Sequence, residues 1–235
     1  LGAQYLRPAR MLLQHFAEHR GMSNAYLSGD ASFKDKLAAK QSQLADDIKA
    51  MDAVDAQHGA ALNSTGAWQA IKADWQNLGS NVLSLAAPDS FARHTALIEK
   101  LLDLFAHVGI TSNLVLDPDP DSYYLMNVVV GRLPFLVEHL GRLRGMATGI
   151  VARRQISEDD HVRLARSVGQ LEMVQSGIHQ DLDTAFAHNP SLKPVLGAQK
   201  EALVGPISAF LTIVAQLARS EQVDTALSPS GVFAA

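Results

Sequence analysis

The chain has 235 residues, 47% of them hydrophobic and 19% charged, so it can bury one large core or two small ones and is too apolar to be disordered. Twenty Lys and Arg against 24 Asp and Glu leave a formal net charge of −4, a balance that speaks against a nucleic-acid binder. The absence of Cys excludes disulfides, thiol nucleophiles, thiolate zinc sites and iron–sulfur clusters.

Helix follows helix along the chain. Met11, Leu12, Phe16, Met22 and Tyr26 recur at three- and four-residue spacings, which predicts a helix over roughly 3–28 ending at Gly29-Asp30. Ser32 can cap a second over 32–57, striped by Phe33, Leu37, Leu44, Ile48 and Met51, with Gly59 beyond its end. A shorter third over 64–79 carries Trp68, Ile71, Trp75 and Leu78, and a fourth over 89–112 carries Phe91, Leu97, Leu101, Leu104 and Val108. The two prolines of Leu116-Asp117-Pro118-Asp119-Pro120 break the pattern, because a residue before proline is pushed out of the helical region. From Asp119 as cap and Pro120 in the first turn, one long helix is expected over 120–154, about 50 Å in length, with a kink at Pro134. Acids in its first turn mark a helix over 157–188, and Ser191 opens the last, over 191–219. The tail Ser228-Pro229-Ser230-Gly231 reads as loop.

No segment reads as a strand. The expected fold is all-α: a single domain over 1–235, an elongated antiparallel helical bundle made of two stacked, four-helix-like sub-bundles. The longest uncharged run, Ala202 to Ala218, holds Pro206, Ser208, Thr212 and Gln216 and falls short of the roughly 20 apolar residues of a membrane span, so the chain as given reads as soluble. It begins at Leu1 with neither initiator Met nor signal peptide and is expected to be part of a longer protein.

Several motifs carry potential chemistry. His15-Phe16-Ala17-Glu18-His19 matches H-x-x-E-H, the inverted metalloprotease pattern, but no third ligand stands out downstream, and a solvated or hydrogen-bonding histidine pair is the simpler reading. Asp117, Asp119 and Asp121 alternate like calcium-loop ligands, yet Ser122 and Val128 stand where Gly and Glu belong; as helix caps they need no metal. No metal and no cofactor is expected, nor a catalytic residue, since neither a phosphate loop nor a G-x-S-x-G elbow is present. Trp68 and Trp75, two turns apart, read as core, whereas Tyr123 and Tyr124 could address a ligand through their hydroxyls.

Gly141, Gly145 and Gly149 share one helix face at a cost of about 1 kcal/mol each relative to Ala, which a close helix crossing or a ligand pocket would offset. Arg142 and Arg144 flank Gly145. Arg20-Gly21-Met22-Ser23-Asn24 in the first helix is echoed by Arg144-Gly145-Met146-Ala147-Thr148 in the fifth. A guanidinium fork suits an oxyanion, so Arg20 and Arg144 are the candidate ligand pair, with Asn24, Tyr123 and Tyr124 beside them; two ordinary surface salt bridges are the bland alternative.

The succession Tyr5-Leu6-Arg7-Pro8, His19-Arg20-Gly21-Met22, Phe91-Ala92-Arg93-His94-Thr95, Asp117-Pro118-Asp119 leading into Tyr123-Tyr124-Leu125-Met126, and Gly141-Arg142-Leu143-Arg144-Gly145 resembles the all-helical extracytoplasmic sensor region of bacterial transmembrane receptors. Such regions precede a HAMP linker and a methyl-accepting chemotaxis, cyclase or kinase module. The two arginine motifs are also similar to the nitrate- and nitrite-sensing (NIT) domain, in which interhelical arginines bind the anion; here His19-Arg20 stands where that family has two arginines.

The resemblance implies a non-enzymatic periplasmic domain of an inner-membrane chemoreceptor. It would bind a small anion, nitrate-like or a small organic acid, between helices and pass a helix shift through the membrane. A homodimer in the full receptor and a return helix after Ala235 are implied as well. The alternative is a structural or partner-binding bundle without a small-molecule ligand.

Overall fold

The computed structural model describes residues 1–234, all helix and connecting turn, with no strand among them. The all-α expectation holds. The chain divides into two compact units, Leu1–Asp117 and Pro118 onward, each with its own core.

The first unit is an antiparallel four-helix bundle. Its helices are α1 (Gly2–Leu27), α2 (Lys34–Leu62), α3 (Thr65–Asn81) and α4 (Ala87–Thr111), with α1 packed on α2 and α4 and α3 closing the ring against the same two. Short connections force neighbours to run antiparallel. Leu37, Leu44 and Met51 recur every seven residues along the buried seam of α2, and Leu12, Phe16, Trp68, Ile71, Leu101 and Leu104 are the buried side chains of the helices packed around it, each contributing about 1.5–3 kcal/mol through burial.

Two polar residues also sit on that seam, and both are matched: Lys40 pairs with Glu18 at 2.5 Å, and Asp55 accepts from the Tyr5 hydroxyl at 2.7 Å. Asp55 also explains why α2 continues through Gly59 to Leu62 instead of stopping near residue 57. A Cβ at position 59 would lie 2.3 Å from Asp55 Oδ1 and from Thr65 Oγ1, so this glycine makes room inside the helix, and Asn63 in the left-handed region ends it. Asp30, not Ser32, caps the preceding 3-10 turn by accepting from Ser32 N.

In the second unit α5 (Pro120–Met126) passes through a π-helical segment, Asn127–Arg132, into α6 (Leu133–Arg153), so the expected unbroken helix over 120–154 is interrupted. Pro134 lacks the N–H that Val130 O would receive, and its ring crowds that carbonyl, which loosens the α-helical ladder just where the π turn stands. The long α7 (Glu158–His188) starts at a reciprocal cap between Ser157 and Asp160 and packs on α5 and α6.

The last predicted helix is also divided, into α8 (Lys193–Ala202) and α9 (Val204–Arg219); the missing N–H of Pro206 leaves Ala202 O without its helical donor at the point of the break. The tail expected to be loop contains a short helix, α10 (Pro229–Ala234), packed on α6, with Ser228 Oγ accepting from Gly231 N at 3.0 Å.

Ile207, Phe210, Val214 and Leu217 turn α9 into the core of this unit. Among the described residues Pro190–Arg219 is the one helical stretch long and apolar enough to cross a membrane by length and composition. Of its most apolar window 24% is buried, so α9 gives one row of side chains to the core and leaves the rest of its apolar surface uncovered within the unit.

Candidate functional site

Arg20 lies in the penultimate turns of α1 and is fully buried. Its guanidinium donates to Thr95 Oγ1 at 2.9 Å and stacks over the Phe91 ring, 5.0 Å from the centroid, so one turn at the start of α4 positions it from two sides. The neighbouring His19, also buried, has its Nδ1 2.8 Å from His94 Nε2, and His94 Nδ1 lies 2.7 Å from the Ser90 carbonyl. Trp75 of α3 meets the His19 ring edge to face at 5.0 Å and packs against Phe16.

The protonation of this chain follows from its far end. A carbonyl only accepts, so His94 Nδ1 carries the hydrogen. Burial holds the His94 pKa down at about 4 against the upward pull of the Ser90 carbonyl, with the Arg20 charge adding to the depression. Neutral His94 therefore presents a lone pair at Nε2, and His19 Nδ1–H donates to it. Burial, the facing His94 and the Lys40 charge lower the His19 pKa to about 3. Neutral His19 is left with a bare lone pair at Nε2, a buried atom with no hydrogen-bond partner.

The H-x-x-E-H triplet disperses. His15 pairs with Asp47 at 2.5 Å, Glu18 with Lys40, and His19 with His94. No group of three or more metal-ligating side chains occurs among the described residues. Of the three alternating aspartates, Asp121 accepts from Ser122 N and from Asn189 Nδ2 at 2.7 Å, tying the start of α5 to the end of α7. The Asn189 hydrogen bond, followed by that of the Ser122 backbone, lowers its pKa.

The sequence candidates fall in both units. Asn24 is half-buried, one turn after Arg20 on the same face of α1. In the second unit Arg144 is half-buried on α6, its guanidinium 4.7 Å from the centre of the Phe233 ring of α10. Its neighbour Arg142 is an ion partner of the buried Glu138. Gly141, Gly145 and Gly149 are all buried. Tyr123 is exposed and Tyr124 half-buried, their rings in mutual edge-to-face contact at 5.3 Å.

His94, Thr95 and Phe91 belong to the site as well, and the sequence alone gives them no site role. The available signal was a histidine at position 94 in an apolar stripe, three residues from Phe91 and from Leu97, where every other member is a hydrophobe.

Two cavities lie elsewhere. One of about 790 Å³ opens at the α6–α7 turn, where Arg153 pairs with Asp160 at 2.5 Å and Arg154 donates to the Asp224 carbonyl at 3.0 Å. The other, about 250 Å³, follows the α3–α4 groove beside the Lys100–Asp74 ion pair.

No curated protein and no solved structure matches the chain. A family model described as nitrate and nitrite sensing matches residues 11–228, from within α1 to the residue before α10. The match takes in the Arg20 turn, the His19–His94 pair and the Arg144 repeat; the chain belongs to the nitrate- and nitrite-sensing (NIT) family of sensor domains.

Proposed function

We propose that the chain is the extracytoplasmic ligand-binding domain of a transmembrane receptor, a non-enzymatic sensor that takes a small anion at Arg20. The observation that carries this is the placement of Arg20: a permanently charged fork held in the interior by a hydroxyl and a ring, within a family of nitrate and nitrite sensors. A planar guanidinium matches an oxyanion bidentately, and in a buried setting such charge-assisted bonds are about twice as strong as neutral ones. Asn24 adds a polar group on the same helix face, and Arg144, with Tyr123 and Tyr124 in the second unit, supplies the other polar candidates. Nitrate-like anions and small organic acids fit this chemistry. A helix shift reaches the membrane only if the anion's affinity differs between two helix arrangements. Chemotaxis output, a receptor homodimer and a periplasmic setting complete the proposal.

Calorimetry and thermal shift with sodium nitrate, nitrite and small carboxylates test it on the wild type, Arg20→Ala, Arg20→Lys and Arg144→Ala. Binding is expected to fall at least tenfold in Arg20→Ala, with Arg144→Ala reporting what the second unit contributes by itself; an anion that binds Arg20→Ala as tightly as it binds the wild type would defeat the assignment.

A second reading, a bundle that docks another helix or a second copy, is favoured by the apolar side chains that α7 exposes, Val162 at 57% and Met173 at 74%. Concentration-dependent association without any anion response would support it.

A further inference from the structure

His19 Nε2 is a hydrogen-bond acceptor with nothing to accept, buried on the turn of α1 that also carries Arg20. Its tautomer is fixed from outside. The Ser90 carbonyl can only accept, which places the hydrogen on His94 Nδ1; His94 Nε2 then accepts from His19 Nδ1–H, leaving His19 Nε2 bare. Ser23 Oγ, 3.4 Å from His19 Nδ1, and Ser90 Oγ, 3.4 Å from His94 Nδ1, sit at the long limit and do not reverse this order.

Protonating His19 would also supply a donor, but the groups around it oppose that. His94 and Arg20 come from the α4 and α1 sides and Lys40, paired with Glu18, from α2; α3 contributes Trp75, which does not titrate. Nitrate and nitrite offer only acceptors. Set against His19 they would place lone pair against lone pair.

We propose that His19 sets the ligand preference of the Arg20 site, selecting a small oxyanion that carries its own O–H donor, such as an α-hydroxy acid, over a bare anion such as nitrate. The carboxylate would meet the Arg20 fork and the hydroxyl would donate to His19 Nε2. The same α4 turn, Phe91 to Thr95, holds both side chains, so the two halves of the recognition are built on one support. This inference rests on the anion-binding reading of Arg20.

Leaving one buried acceptor unmade in one ligand and made in another separates their affinities by about tenfold or more. Sodium glycolate and sodium acetate differ by the hydroxyl alone. Calorimetry on the 235-residue chain at pH 7.5 is expected to show glycolate binding about tenfold more tightly than acetate or nitrate. His19→Phe is expected to abolish that difference and His19→Arg to move the preference to nitrate.

Nitrogen-15 NMR adds a readout that needs no variant. His19 is expected as the neutral Nδ1–H tautomer, and its Nε2 resonance is expected to move with glycolate and not with nitrate. Nitrate or acetate binding as tightly as glycolate, nitrate binding with uptake of about one proton, or a protonated Nε2 in the unliganded chain would each overturn the inference and leave the Arg20 reading standing. Failure of all three probes to bind would overturn the Arg20 reading and this inference with it.

Discussion

Tyr5, Asp55 and the histidine pair show how single buried polar residues tune this protein. Tyr5 is fully buried with its hydroxyl on Asp55, and burial pushes its ionisation far above the usual phenol range. Asp55 has a second, longer contact from Ser64 Oγ at 3.5 Å. Tyr5→Phe therefore takes the better donor from a buried carboxylate, and a loss of about 1–3 kcal/mol is expected in urea denaturation.

The histidines act through pH. Their pKa values drop from 6.5 to about 3 and about 4 on folding, so the unfolded chain takes up protons that the folded one refuses. Their contribution to stability is complete above pH 6.5 and is lost as the pH falls toward 4 and 3. His139, lowered chiefly by burial and then by Arg142, works in the same sense. The carboxylates of Asp52, Asp121 and Asp160 are also held low, but theirs is lost only below their ordinary value of 3.8. Between pH 7 and 5 the slope thus reports histidines, and a loss of about 2–4 kcal/mol is expected. A His19→Gln, His94→Gln double variant should show a much flatter profile by urea midpoints; an unchanged slope would count against the neutral pair.

At the scale of elements, the π segment explains a pairing that ordinary helical spacing forbids. Asn127 and Arg132 are five residues apart, about 140° around an α-helix, yet both bind Asp181 of α7: Asn127 Nδ2 at 2.6 Å and Arg132 Nε at 2.5 Å. A wider π turn, closing i to i+5, brings the two onto one face. Gly177 completes the arrangement, since a Cβ there would sit 2.1 Å from Arg132 Nη1. Gly169, two turns earlier in α7, has nothing within 4 Å of the same atom. The same substitution therefore has opposite signs within one helix. Gly169→Ala is expected to stabilise by about 0.5–1 kcal/mol through helix propensity. Gly177→Ala is expected to destabilise by about 1–2 kcal/mol, because the Arg132 guanidinium must shift from Asp181, which is only 4% exposed and keeps Asn127. Equal midpoint shifts in chemical denaturation would refute the clamp.

The sequence made the helices themselves legible, because periods such as Leu37, Leu44, Met51 and Trp68, Ile71, Trp75, Leu78 are local and repeat. The π turn and the break at Leu203 were not, since Pro134 and Pro206 announce a disturbance without its form. His94 was hidden for a different reason: its role depends on a partner 75 residues away.

For the molecule as a whole, the family match runs through both units, so ligand response is a property to be measured on the entire chain. The bare charge of −4 says nothing of a guanidinium in the interior, and binding to it must be separated from ionic screening. Screening depends on ionic strength and not on the identity of the anion. Specific binding to the folded state alone stabilises by RT ln(1 + [L]/Kd), about 2.7 kcal/mol at a hundredfold excess over Kd. For a chain of this size that is a rise in Tm of about 5–10 °C. Sodium glycolate or sodium nitrate is therefore expected to raise the Tm over sodium chloride at equal ionic strength, by an amount that grows logarithmically with concentration. Arg20→Lys keeps the charge and the screening but loses the planar fork, so it is expected to lose most of the anion-specific rise while keeping the response to chloride. A rise that is the same for chloride, nitrate and glycolate, or one that survives in full in Arg20→Lys, would mean that the buried fork does not hold the anion.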